Sequence, residues 1–389
     1  MSTVLETRAE IIKLARVLGT PADQLGYLER ATPDDLRALR EQATDKLFEG
    51  DRDRLHKLAL ASRLLPSSIG AAIARWALGA LLSARVTGLL VPSKAVDMAK
   101  HLPASFLADI AVELDPRRAR EVIERMPAWQ VGEVAAELAR RNEHVAMGRF
   151  VGFLGDEAIT AAMEQIDDAG LLRIAFVMEG KDNLDHVVSL LPEHRLAGVM
   201  RSADQARLWP EALDLLDHLS DERKGSLAEI ATAEGLLESL AETAHAEGLW
   251  DVVLPVIPLM TEGSRLSLAR LPIVEDRDAL AAILETAAVF DLWAALLPVV
   301  DHLPAGSRDI VASLAAGFDQ AVLERILAVV GERDMWSILL PLVALNSALQ
   351  QRLVPVVSTL SPPSRARAGA KARELGLIDR LGSLGPMLG

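Results

Sequence analysis

The chain has 389 residues, half of them hydrophobic but only 4% aromatic, with no cysteine and a formal net charge of −14. Without thiols there can be no disulfide framework, thiolate metal site or cysteine nucleophile. An acidic, aromatic-poor chain also argues against general nucleic-acid binding, which relies on Lys/Arg neutralising phosphate and on stacking platforms.

Ala and Leu dominate, and alternating β-branched or aromatic runs are scarce, so the chain is expected to be all-α. The opening MSTVLETRAEIIKLARVLG is amphipathic and carries acids, unlike a signal peptide. Residues 1–90 are expected to form a helical N-terminal cap. Within it, SSIGAAIARWALGALLSARVTGLL (67–90) is apolar but contains Arg75 and Arg85, and its longest uncharged run is the nine residues Trp76–Ala84. That is far below a membrane span. The stretch reads as a helix buried in its own fold, ahead of a membrane-surface segment, with no membrane span, in a cytoplasmic protein.

Residues 91–167 read as short helix pairs. VPSKAVDMAKHLPASFLADIAVEL (91–114) aligns without gaps on DPRRAREVIERMPAWQVGEVAAEL (115–138), matching Pro92 with Pro116 and Pro103 with Pro127. Proline is tolerated at a first helical turn but disfavours helix in the residue before it. Leu102-Pro103 and Met126-Pro127 are therefore expected hinges. NEHVAMGRFVGFL and GDEAITAAMEQI (142–166) form a looser third pair, broken at Gly155. These pairs, over roughly residues 90–166, resemble the cytoplasmic N-terminal superhelical domain of MgtE-type magnesium transporters, which also uses short helices punctuated by Leu-Pro. The resemblance implies a superhelical regulatory or docking module. It does not imply ion transport, because the family's transmembrane and strand-containing parts have no counterpart here.

From 168 to 389 a longer period takes over. Trp209, Trp250, Trp293 and Trp336 are spaced 41, 43 and 43 residues apart, and Ile378 falls 42 residues after the last. In three copies a proline follows five residues on, as Trp250/Pro255, Trp293/Pro298 and Trp336/Pro341. One unit should hold three helices, at 291–303, 306–316 and 319–331. Asp291 and Asp334 read as N-caps, and each proline should bend the first helix. Units that cannot bury their apolar face alone stack into a continuous core. The expected fold is an α-solenoid, a right-handed superhelix of helix pairs followed by three-helix repeats, with the tryptophans in the core. The tryptophan units resemble armadillo and HEAT repeats, which implies a protein-binding scaffold.

Chemistry is sparse. No two histidines stand at zinc-ligand spacing on one helical turn, and Asp182, Asp185 and His186 read as a solvated helix start. There is no nucleophile elbow, Walker loop or dinucleotide fingerprint. No enzyme activity, cofactor or metal is expected. Lys224, Arg265 and Arg308 recur fifteen residues after successive tryptophans, with Arg352 beside the next such position. They read either as an internal ladder bonded to Asp291 and Asp334 or as cations facing an acidic partner. The leading expectation is a non-catalytic scaffold or adaptor with a protein partner, and self-association is possible. The alternatives are a carrier of a small apolar ligand in a groove near 67–90, closed by the N-terminal helices, and a magnesium-responsive module.

Overall fold

A computed structural model describes residues 2–49 and 52–388, and all secondary structure among them is helical. Packing divides the chain into two units, residues 1–219 and 220–389.

In the N-terminal unit, helices Ser2–Leu18 and Pro33–Glu49 pack on one another, and the first also contacts Trp209–Leu216. The expected helix pairs follow as Pro92–Ala99 with Ala104–Glu113 and, after a short turn at Pro116–Arg118, Arg120–Ile123 with Ala128–Arg140. Pro103 and Pro127 sit at the N-caps of Ala104–Glu113 and Ala128–Arg140, in extended backbone. Each proline ends one helix and starts the next, because the residue before it is pushed out of the helical region. The third pair, His144–Phe150 and Asp156–Met163, breaks with Gly155 as N-cap. Packing runs between alternate helices: Gly79–Thr87 on Ala104–Glu113, that helix on Ala128–Arg140, and that in turn on Asp156–Met163. The core therefore forms between successive pairs, with Ala108, Ala111, Ala135 and Leu138 meeting Met147, Ile166 and Ile174.

In the C-terminal unit, helices follow each tryptophan in a similar order. Trp293–Val300, Ala305–Ala315 and Gln320–Arg333 make one repeat, and Trp336–Leu345, Ser347–Thr359 and Pro362–Glu374 the next. Trp250, Trp293 and Trp336 are buried, as is Trp209 in the N-terminal unit. Tryptophan contributes more apolar surface than any other side chain, which suits it to joining repeats. Pro298 and Pro341 lie inside their helices, whereas at Pro255 the α-helix stops at Val253 and continues as a tighter 3₁₀ segment, Leu254–Leu259.

The caps differ from expectation. Asp291 and Asp334 are not N-caps. Both are in the left-handed region (φ 55°) directly after the preceding helix, and Leu292 and Met335 hold the N-cap positions without a side-chain bond. The same place two residues before each tryptophan is left-handed in all four copies, occupied by Arg207, Gly248, Asp291 and Asp334. The next residue's N–H closes a loop to the carbonyl five residues back, Leu208 to Ala203, Leu249 to Ala244, Leu292 to Ala287 and Met335 to Val330. This is a Schellman ending, which satisfies carbonyls that the helix terminus leaves open. Left-handed backbone costs an ordinary side chain about 1–2 kcal/mol but costs glycine almost nothing. Arg207→Gly is therefore expected to stabilise the N-terminal unit by about 1 kcal/mol, read as a higher denaturant midpoint at unchanged slope.

Candidate functional site: an apolar cavity

The stretch 67–87 is not one continuous buried helix. Ser67–Ile73 runs into a wider π turn, Ala74–Leu78, and the chain then breaks at Gly79, with φ 71° and ψ 178°. Only glycine occupies that backbone region without strain. Beyond it Gly79–Thr87 folds back, for the Ser83 hydroxyl donates to the Ala74 carbonyl at 3.3 Å. Nine residues of straight helix would separate those groups by about 13 Å. Only 33% of the apolar window is buried, which corrects the expectation of a helix buried in its own fold. By length and composition Ser67–Thr87 could cross a membrane, yet it carries Arg75, Arg85 and the break at Gly79.

Residues on both sides of this break line one end of a partly open cavity of about 470 Å³, whose lining continues between the helix pairs as far as Val187, Val188 and Leu191. Each element contributes the face set by helical spacing. From Ala128–Arg140 come Val131, Val134, Ala135 and Leu138, the i, i+3, i+4, i+7 stripe that faces neighbouring helices. Among the described residues no charged side chain lines the cavity, and the only polar side chains that do are Ser62, Ser83 and Thr87. All three hydroxyls already donate to backbone carbonyls: Ser62 to Ala59 at 2.7 Å, Ser83 to Ala74, and Thr87 to Ser83 at 2.7 Å. The wall therefore has little to offer a polar guest. Among the described residues the most exposed of the lining are Leu58, Ala61 and Ile73, so the most solvent-accessible part of the wall is at this end. Ser2–Leu18 and Pro33–Glu49 contribute no lining residue, whereas Arg52–Ser62 contributes Leu58, Ala61 and Ser62, so of the helices described before residue 67 only this one borders the cavity.

A buried ionic cluster braces the far wall. Glu10 is 2% exposed and bonds Lys13 at 2.9 Å, with Arg40 Nε at 3.3 Å and Arg37 at 3.5 Å. Arg40 also reaches Glu179 at 2.8 Å. Glu179 follows the lining residue Met178, and its N–H donates to the carbonyl of Gly148, which follows the lining residue Met147. Burial pushes the Glu10 carboxyl up, but Lys13, Arg40 and Arg37 more than offset this and hold it below the usual carboxylate range. Lys13 is lowered by its burial, partly opposed by Glu10. Nearby, Asp214 is raised by burial despite its bond to Lys181.

The four cations singled out by spacing each lie on the second helix of a repeat. Lys224 is half-buried, 4.0 Å from Asp221 of its own helix. Arg265 and Arg308 are half-buried with Nε unpartnered, and Arg352 donates to the Phe318 carbonyl. Asp334 lies 4.0 Å from Arg367, not beside Arg308 or Arg352. His186 pairs with Asp156 at 2.9 Å, and among the described residues no three acidic or histidine side chains converge as metal ligands.

An apolar groove near 67–90 was expected, and residues of that stretch do line the cavity; its extension to Leu191 was not, because Ala, Leu, Val and Met line a void and fill a core equally well. The charge pattern at its mouth was legible: residues 54–96 hold six Lys/Arg and no Asp or Glu. No protein-family model, curated protein or solved structure matches the chain.

Proposed function

We propose that this chain is a carrier of a long, single-chain apolar ligand, held in the cavity of the N-terminal unit. The observation that supports it is the enclosure itself: about 470 Å³, walled by aliphatic and small side chains, with every hydroxyl hydrogen already bonded. A cavity of about 150 Å³ accommodates benzene and remains dry when empty. Three times that volume gives room for on the order of eighteen carbons. A lining that runs between helix pairs from Leu58 to Leu191 suits one extended chain, and the exposed end at Leu58, Ala61 and Ile73 leaves the head group in water. Helix groups bind apolar ligands in this way, with specificity set by the few polar groups at the mouth.

The test is native mass spectrometry of the purified chain mixed with palmitate. One adduct of palmitate per chain, released on denaturation, is expected. A chain that stays bare at saturating palmitate, or one that binds many copies without a plateau at one, would overturn the reading.

A further inference from the structure

The rim of the cavity differs from the rest of the N-terminal unit in charge, and from the rest of the described residues in exposed apolar surface. Of the eighteen large hydrophobic side chains that are exposed among the described residues, eight fall between 58 and 82: Leu58, Leu60, Leu64, Ile69, Ile73, Trp76, Leu81 and Leu82. Leu64 is 88% and Trp76 79% exposed. Ile69, Ile73 and Trp76 follow one another at i, i+4 and i+7, the spacing of a single helical stripe, and Leu81 and Leu82 lie just past the fold at Gly79. A solvent-facing apolar stripe of this kind is costly to leave uncovered and marks a contact surface.

Charge shows what covers it. The whole chain is at −14, yet residues 54–96 contain Arg54, Lys57, Arg63, Arg75, Arg85 and Lys94 and no acid. Lys57, Arg63 and Arg75 are exposed. The Arg75 guanidinium stacks 4.9 Å from the Trp76 ring centre, so cation and aromatic are presented together. Tryptophan beside arginine, with leucines alongside, suits the boundary between lipid head groups and acyl chains. The patch also includes two of the most exposed residues of the lining, Leu58 and Ile73.

We propose that the segment 57–82 docks this protein on an anionic bilayer surface, with the cavity mouth against the acyl layer. Trp76, Leu81 and Leu82 enter the head-group boundary, and Lys57, Arg63 and Arg75 contact lipid phosphates. An acyl chain then passes between bilayer and cavity without crossing water. The inference rests on the carrier reading only for that last step; the docking surface stands on exposure and charge.

The experiment is flotation of the full chain with vesicles of phosphatidylcholine alone or with phosphatidylglycerol added, run beside palmitate binding in vesicle-free buffer. Flotation with the anionic vesicles, weakened by salt and absent with the neutral ones, is expected. The basic side chains act at about fivefold each near an anionic surface, so Lys57→Glu/Arg63→Glu/Arg75→Glu should lower vesicle affinity at least about 100-fold. Trp76→Ser/Leu81→Ser changes only exposed side chains, so it should abolish flotation while leaving the circular dichroism spectrum and palmitate binding unchanged. Equal flotation with neutral and anionic vesicles, or flotation that survives both variants, overturns the docking surface. So does a wild-type chain that binds palmitate but no vesicle, or one whose patch instead pairs two copies in sedimentation. A chain that floats but never takes up palmitate leaves docking in place and sinks the carrier reading.

Discussion

Glu10→Ala is expected to destabilise the N-terminal unit by about 3–5 kcal/mol, the range for removing one partner from a buried charge cluster. The substitution leaves Lys13 and Arg40, both nearly inaccessible, without their shared carboxylate. Most of the loss is the cost of leaving Lys13 buried without its partner and Arg40 with Glu179 alone, rather than the worth of the original bonds. Glu10→Gln should lose less, because the amide keeps the shape and one acceptor. Acid should mimic the substitution. The folded-state carboxyl titrates below its ordinary value of 4.5, so its contribution is complete above that value and fades as pH falls through the lower, folded-state value. Wild-type stability should drop over that acid window, and Glu10→Ala should show a flatter profile there. Because Arg40 also holds Glu179, which adjoins the cavity wall, the variant should release palmitate faster. Urea unfolding at neutral and acid pH, followed by palmitate dissociation, checks both parts.

The repeats were legible because they are written in local chemistry. Prolines at 103 and 127 end helices through a clash with the preceding residue, whatever the rest of the fold does. Tryptophans at a fixed period announce packing that recurs. Asp291 and Asp334 were misread for an equally local reason. Aspartate serves as an N-cap and is also among the few residues that tolerate left-handed backbone, and only the Schellman bonds to Ala287 and Val330 show which role applies. Gly248 at the corresponding place was the available clue, since glycine favours a C-terminal ending over an N-cap. The break within 67–87 was hidden by composition. Gly79 lies in an unbroken apolar run, and nothing in that run separates a turn from a helix interior. A groove near 67–90 was expected, but the full extent of the cavity was further still from the sequence. Its wall draws on residues from Leu58 to Leu191, and whether such side chains meet or stay apart depends on how the pairs stack. The ionic brace likewise joins Glu10, Arg40 and Glu179, which are close only after folding.

Stripping any bound apolar guest from the N-terminal unit should lower its stability measurably. At about 24 cal/mol per Å³ of unrelaxed void, an empty 470 Å³ cavity costs on the order of 11 kcal/mol. That is the scale of a whole domain's stability, about 5–15 kcal/mol. The folded unit can therefore remain stable when empty only by collapsing part of the space, and filling it is worth whatever the collapse does not recover. Melting of chain passed over a hydrophobic adsorbent should show a lower transition for this unit, restored by palmitate, while the unit from Ser220 onward melts as before. Ala135→Leu separates a void from a packed core by sign. In a close-packed interior three added carbons overpack the site and cost about 1–3 kcal/mol. Facing open space beside Val131 and Leu138, the same carbons gain up to about 2 kcal/mol, at about 0.8 per methylene. The stripped variant should therefore be more stable than the stripped wild type and bind palmitate more weakly, because the leucine occupies room the ligand needs. A stripped variant less stable than wild type would mean that the helix pairs close on one another when nothing lies between them.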